Sequence, residues 1–510
     1  MKSLEEVLES WEAVIGLEIH AELTTLKTKM FCSCPIEFGA DPNTHTCPVC
    51  LGLPGALPVP NKAAIESIVL AGLATNCDIE KHSMFYRKGY FYPDMAKNFQ
   101  TTQGPVAFCM RGHLDLEVSG NAAKERTDVE KDEDGGYIAH VGITRIHMEE
   151  DAGKMTHLGG AEGRIDGADR SLVDYNRAGT PLIELVTEPD LRTPEEARLF
   201  MQKLRQIYLT LGISDCSMEE GSMRCDGNVS LRPRGSSEFG VKTELKNMNS
   251  FKSLHDGLAY EIRRQAEVLE SGGTIRQETR HWEPSAKRTI VMRVKETADD
   301  YRMFPDPDLA PFDLTDEWID NVRKKLPELP DAKRDRFIKT WGLPKADAAE
   351  IAGDVDLAAL FDKAAEGLEA QPAKKLANLL LNDLVAWLRE NERELADLDF
   401  EPTYLSTLAT LLTEDKISSK QGKEVLDAIL SKNAEPAAYV KEHGMEQTTD
   451  TAQIEALIDK LMAENPDKVE AYRNGKKGLQ GFFMGQIMKE LKGQGNPKVI
   501  SKIVAAKLEG

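Results

Sequence analysis

The sequence predicts an α+β body followed by all-helical domains. Three observations carry this. Ala13, Ile15, Leu17, Ile19, Ala21 and Leu23 alternate with Gly16, Glu18, His20 and Glu22, a period of two that marks a half-buried strand. Up to about residue 300 the chain is rich in glycine, turns and short alternating segments. Beyond that point apolar residues return at helical spacing, as in Leu376, Leu379, Leu380, Leu384, Trp387 and Leu388.

Within the first part, further strands are expected at Tyr137–Met148, Pro181–Val186 and Asn228–Arg232. A helix is expected at Thr193–Leu211, which opens with a cap residue, a proline at the first helical position and two acids in the first turn. Asp306–Pro311 reads as a linker. The helical part is punctuated at Glu401-Pro402, at Asn433–Pro436 and at Asn496-Pro497. The expected domains are therefore 1–300, 301–405 and 406–510.

The chain has 510 residues and a formal net charge of −21, enough length for a sizeable core without disulfide staples. That charge argues against a general nucleic-acid coat, because a phosphate backbone is repelled on average. Met1–Val14 is charged, acid-rich and free of arginine, so neither a signal peptide nor a transit peptide is expected. No run of about 20 apolar residues predicts a membrane span. The expected location is the cytoplasm.

Four of the eight cysteines cluster as Cys32-Ser33-Cys34 and Cys47-Pro48-Val49-Cys50. Two close pairs on proline- and glycine-rich turns can set four thiolates tetrahedrally around zinc, with no open position for catalysis. His45 is an alternative ligand, and four plain cytosolic thiols are the bland alternative. A second constellation is acidic and histidine-bearing. Glu18 and His20 lie two apart on one strand face. His147-Met148-Glu149-Glu150-Asp151, Glu184 and Asp226 follow. Carboxylates with an occasional imidazole suit Mg²⁺ or Mn²⁺, unless the same residues are simply solvated charges at strand ends.

The track Phe85–Asp94 interleaves aromatic residues with Arg87 and Lys88, a pattern that stacks bases and holds phosphate, or forms an ordinary aromatic strand and turn. Arg177 sits in a loop before Gly179, and Lys246 follows Lys242 and Glu244. No G-x-x-x-x-G-K-[ST], G-x-G-x-x-G or H-E-x-x-H is present. Any nucleotide chemistry must use a different kind of site. The last 43 residues carry nine basic residues against three acids, a local +6 that leaves −27 elsewhere. Lys498 and Lys502 lie one helical turn apart, a possible contact with a phosphate backbone or else a solvated face.

Several long segments resemble one family closely. They are Val14–Leu23, Tyr90–Asp94, His147–Lys154, Asp174–Glu184 and Glu244–Ser250. Together they are similar to the B subunits of bacterial aspartyl/glutamyl-tRNA amidotransferases, over essentially the whole chain. The resemblance implies a cradle-shaped, kinase-like N-terminal domain with a mixed or antiparallel sheet and a zinc knuckle. It implies a helical domain and a helical tRNA-binding tail after it. It further implies ATP- and Mg²⁺-dependent phosphorylation of the side-chain carboxylate of misacylated Glu-tRNA(Gln) or Asp-tRNA(Asn). Ammonia then displaces the phosphate, delivered by a glutaminase A subunit, with a small C subunit completing a heterotrimer.

By the same resemblance the metal ligands and catalytic residues fall on Glu18, His20, Glu150 and Asp226, with Glu149 and Glu184 nearby. Phosphate contact by Lys88, Arg177 and Lys246 is read from the residues themselves. Some family members lack the cysteines; this chain keeps Cys32, Cys34, Cys47 and Cys50, so structural Zn²⁺ is expected. The competing expectation is a non-catalytic, zinc-containing, tRNA-binding scaffold protein, which has no need of the carboxylate–histidine set.

Overall fold

The computed structural model describes residues 1–126, 128–159, 167–294, 301–447, 451–491 and 495–509. Residue 300, Lys492 and Gly510, each part of an expectation above, lie outside the described residues. The chain divides into two units, Met1–Leu329 and Pro330–Gly510.

The first unit is built on a 12-stranded sheet. The Trp11–Glu22 strand runs through its middle, antiparallel to Met223–Pro233 on one side and to Pro181–Thr187 on the other. Pro181–Thr187 continues to Tyr137–Glu150, and from there to Phe99–Gln103 and Phe85–Gly89. On the far side Thr243–Lys246 pairs with Met223–Pro233 and then, in parallel, with Glu278–Glu283. The mixed sheet matches the expected class.

The alternation read from residues 13–23 explains the layering. Ile15, Leu17 and Ile19 point to one face, where they meet Phe200 and Leu204 of the Pro194–Leu211 helix and Leu258 and Ile262 of the Phe251–Glu270 helix. Each such fully buried side chain contributes about 1.5–3 kcal/mol. The opposite face carries Glu18, His20 and Glu22 and is polar. The Pro194–Leu211 helix starts as its sequence dictates. Thr193 Oγ1 accepts from Glu196 N at 3.1 Å, and Gly212 closes the helix in the left-handed region at φ 65°.

Asp306–Pro311 does not behave as a linker. Asp306 is buried, donates its backbone N–H to Phe85 O at 2.9 Å, and accepts from Arg87 Nε at 3.0 Å. Its run of Asp and Pro serves as a packed strap on the first unit, because Asp306 and Asp308 both meet the half-buried Arg87.

The second unit is helical. Phe337 to Met445 supply one apolar cluster and Ile454 to Leu508 another. The expected leucine stripe is inside: Leu376, Leu379, Leu380 and Leu384 are buried, with Trp387 and Leu388 packed against them. Asn433 ends one helix in the left-handed region, and Pro497 opens the last. No helix among the described residues is long and apolar enough to cross a membrane.

Candidate functional site

Strand register assembles the site on the polar face of the sheet. His20 lies opposite Glu184 on one neighbouring strand and opposite Arg224 on the other. Glu184 in turn faces His147. Directly opposed residues in an antiparallel pair project to the same side, so three strands bring their side chains to one point. His20 Nε2 is 3.3 Å from Glu184 Oε2, and His147 Nε2 is 3.4 Å from both Glu184 Oε2 and Glu149 Oε1. One donor atom each from His20, Glu149 and Glu184 falls within 4.8 Å of the others. Thr102 Oγ1 and Gln100 Nε2 donate to the two oxygens of Glu149 at 2.7 and 3.1 Å, fixing its rotamer.

The electrostatics follow from this crowding. Burial disfavours charge on His20, but the hydrogen bond and charge of Glu184 outweigh it and lift the imidazole above its ordinary value. Burial likewise opposes ionisation of Glu184 and Glu149, yet His20 holds Glu184, and His147 holds Glu149, below the usual carboxylate range. His147 Nδ1 is buried and lacks a hydrogen-bond partner among the described residues. Two carboxylates and an imidazole at this spacing fit a hard divalent cation such as Mg²⁺.

Glu18 and Asp226 sit beside this set, opposite each other in register. Asn228 Nδ2 donates to Glu18 at 3.0 Å. Lys246 Nζ is 2.5 Å from Asp226 and 3.4 Å from Glu244, and these acids overcome the burial of the ammonium to raise its pKa. Glu18, His20, Glu149, Glu184 and Asp226 line one cavity of about 730 Å³ together with Lys88, Arg177 and Lys246. Arg224 donates to Asp151 at 2.8 Å on the same wall. Burial and the Asp151 carboxylate push Glu22 up to about 8, so it is mostly protonated at neutral pH.

Glu150 goes elsewhere. It follows Glu149 directly, so the pleat turns it to the other face. There Lys97 pairs with it, and Thr101 N donates to it at 2.8 Å. It lines a separate cavity of about 210 Å³ with Lys29, Cys32, Cys50 and Arg87. Of the expected acid–histidine residues, the structure brings His20, Glu149 and Glu184 together, sets Glu18 and Asp226 alongside, and keeps Glu150 apart.

The four cysteine sulfurs also lie within 4.8 Å of one another. Zinc bound to four sulfurs at about 2.3 Å spaces them roughly 3.8 Å apart, so the donor set fits that ion. A hydrogen bond from Cys32 lowers Cys50 to about 5, while burial raises Cys34 to about 11. His45 is not in the cluster; its Nε2 lies 3.5 Å from Glu37. The knuckle is stitched to the loop that carries Arg177. Lys29 is wholly buried and donates to His45 O at 2.8 Å and Tyr175 O at 3.1 Å, with Cys50 Sγ 3.7 Å away. His45 N donates to Asn176 Oδ1 at 2.8 Å, and Met30 N to Gly179 O at 2.8 Å. Gly179 sits at φ 87°, which lets the loop turn back so that its N–H reaches Asp151 O at 2.9 Å.

Sequence reasoning placed His147 in the acidic constellation without giving it a role, and did not find Arg224, Lys97 or Lys29. His147 and Arg224 had a signal: each lies two residues before an expected ligand on a strand, hence on the same face. Lys97 and Lys29 had none.

Comparison with known proteins is consistent over nearly the full length. Residues 13–320 match the family model described as the GatB/GatE catalytic domain, and residues 359–508 match the GatB domain. A protein of Carboxydothermus hydrogenoformans, named as the B subunit of aspartyl/glutamyl-tRNA(Asn/Gln) amidotransferase, is 47% identical over 501 residues, covering 98% of this chain and 99% of that one. Proteins of the same name from two Clostridium botulinum strains, Loch Maree and Alaska E43, are each 45% identical; they cover 97% and 98% of this chain, and 98% and 99% of their own length.

Proposed function

This chain belongs to the family of aspartyl/glutamyl-tRNA(Asn/Gln) amidotransferase B subunits, and on that premise we propose how its residues serve tRNA-dependent amidation. The single observation that carries the proposal is the convergence of His20, Glu149 and Glu184 from three strands.

His20, Glu149 and Glu184, with Glu18 and Asp226 beside them, hold Mg²⁺. When bound, the ion neutralises charge on the transferring phosphoryl oxygens. Lys88, Arg177 and Lys246 bind ATP phosphate oxygens across the cavity. Lys246, paired with Asp226 here, would be free for a phosphate oxygen if Asp226 served the metal. The side-chain carboxylate of the misacylated tRNA attacks the γ-phosphorus and ADP leaves, giving an acyl phosphate. Ammonia then attacks the acyl carbon, inorganic phosphate departs, and the amide remains. Phosphorylation is needed because a carboxylate oxygen is a poor leaving group, and positioned cations lower the repulsion between two anions as they meet.

The ammonia comes from a glutaminase A subunit, with a small C subunit completing the assembly, in the cytoplasm. Cys32, Cys34, Cys47 and Cys50 hold structural Zn²⁺, which cross-links the knuckle and takes no part in bond making. The C-terminal helices contact the tRNA.

Glu184→Gln keeps the shape and removes the shared carboxylate of the metal set. In the reconstituted heterotrimer, amidation of Glu-tRNA(Gln) or Asp-tRNA(Asn) should fall by at least about 100-fold, the scale of losing one preorganised electrostatic contact. Affinity for the charged tRNA should hold. Undiminished amidation would sink the kinase assignment and favour a scaffold role.

A further inference from the structure

The aromatic track Phe85–Asp94 is divided by the fold into three destinations. Phe85 is buried and packs edge-on against Phe31 and Phe312, with centroids 5.3 and 5.7 Å apart. Arg87 is occupied by Asp306 and Asp308 and stacks on Phe99 at 4.2 Å. Neither can serve a nucleic acid. Lys88, Tyr90 and Asp94 line the acid–histidine cavity. Phe91 and Tyr92 are left at 72% and 62% exposure.

That exposure is held in place. Tyr90 N donates to Asn98 O at 3.1 Å, Met95 N to Tyr92 O at 3.0 Å, and Gly89 N to Tyr301 O at 2.8 Å. Gly153 N donates to Asp94 O at 2.8 Å, and Tyr175 OH to Pro93 O at 2.5 Å. The Phe91 ring lies against Gly89, where an added Cβ would meet its Cε2 at 3.4 Å. The Tyr92 ring is tilted at 46° to Tyr90, with centroids 5.5 Å apart. Two adjacent rings are thus presented to solvent on a fixed turn whose neighbours line the cavity, and each forgoes the burial it would gain elsewhere.

We propose that Phe91 and Tyr92 form a stacking platform for the 3′-terminal adenosine of the aminoacyl-tRNA, holding the acceptor end at the rim of the cavity. The inference rests on the function proposed above. In that reaction the carboxylate to be phosphorylated lies among Glu18, His20 and Glu184, and it is joined through one aminoacyl group to the terminal ribose. The terminal base is therefore about one aminoacyl length away, and Phe91 and Tyr92 stand on the turn whose Tyr90 and Asp94 line that cavity. Aromatic faces take bases without sequence preference, as suits a terminus that is the same in every tRNA. Asp94, whose carboxylate also meets the Tyr90 hydroxyl, presents its buried Oδ1 on the same wall as an acceptor for a ribose hydroxyl.

The test uses the reconstituted amidotransferase and charged tRNA whose terminal adenine is replaced by 2-aminopurine, a base whose emission is quenched on stacking. Wild-type protein should quench it. The double variant F91A/Y92A should lose the quench and lower kcat/KM for the charged tRNA roughly 10- to 100-fold, the scale of losing one stacked base, with KM for ATP unchanged. F91Y/Y92F, which keeps both rings, should restore quench and rate. Retained quench and rate in the alanine variant would overturn the platform and leave the amidation reading intact. So would loss of heterotrimer assembly with normal tRNA kinetics in the assembled fraction, which would assign the rings to a protein interface. Failure of the wild-type complex to amidate any charged tRNA would instead overturn the functional reading itself.

Discussion

Lys29→Met is the substitution that best tests how the cysteine knuckle is built. Methionine is unbranched like lysine and close to it in volume, though one heavy atom shorter, so little space opens and the packing term is small. What changes is electrostatic. Lys29 is 0% exposed, and its ammonium donates to two backbone carbonyls and lies 3.7 Å from Cys50 Sγ. Without metal, the loss of two hydrogen bonds, about 1–3 kcal/mol for each carbonyl left bare, is offset by no longer burying a cation, which costs several kcal/mol. The metal-free fold should change little. With metal, four thiolates and one Zn²⁺ leave two net negative charges in a half-buried site, and Lys29 is the cation against them. At 3.7 Å a unit charge pair is worth about 4 kcal/mol at an effective dielectric near 20. The ion screens much of that, so a loss of roughly 10- to 100-fold in metal affinity is expected, the usual scale for an outer partner of a metal ligand.

The assay is chelator competition on zinc-loaded protein, read as the chelator concentration that removes half the metal. Lys29→Arg should restore most of the affinity by restoring the charge. Hydrogen exchange provides a second readout, because Lys29 also ties Tyr175 to His45. Amides of residues 174–180, which include Arg177, should exchange faster in the methionine variant. An unaltered competition curve with unaltered exchange would refute the reasoning, and would mean that the backbone contacts around the knuckle hold it without the cation.

Two further outcomes are expected. Glu196 is 0% exposed and accepts from Tyr137 OH at 2.7 Å, Arg126 Nη1 at 2.8 Å and Arg192 N at 2.6 Å; Glu196→Ala leaves Arg126 to Asp128 alone and deprives Tyr137 OH and Arg192 N of their acceptor, at about 1–3 kcal/mol for each buried donor left bare in urea unfolding, whereas a total loss below about 1 kcal/mol, the size of a single ordinary hydrogen bond, would show that water replaces the carboxylate. In the tail, Lys476, Lys489 and Lys502 are exposed. Changing all three to glutamate should lower the slope of log Kd for tRNA against log salt by about 2–3, and an unchanged slope would assign those lysines to solvent.

How far the sequence foretold this molecule depends on which interactions are local. The period-two run of residues 13–23 was enough to put Glu18 and His20 on one face, because pleat parity is a property of the strand itself. Parity also separates Glu149 from Glu150, since neighbours cannot share a face. What it does not say is which of the two meets His20. That is set by the pairing of His20 with Glu184, which joins segments more than a hundred residues apart, and of Glu184 with His147. Lys29 and Lys97 were illegible for the same reason: a lysine becomes a buried counter-charge only once distant loops close around it.

The tail shows the opposite error, in which a local count overstates a surface. Lys498 pairs with Asp415 at 3.0 Å, and Lys507 with Asp459 at 2.6 Å. Lys477 reaches Glu509 at 3.9 Å, and Lys468 lies 3.3 Å over the Phe482 ring. Packing the last helix against its neighbours brings acids from outside the counted stretch, so the local +6 is not a free charge of that size. The cations left for a phosphate backbone are fewer and more dispersed than the sequence implied. On a chain of net charge −21, so few contacts would give a modest affinity with a correspondingly shallow salt dependence. On the proposed reading, specific placement of the substrate falls to the acceptor end, where the proposed stacking and the cations of the cavity would act on a single nucleotide and its amino acid.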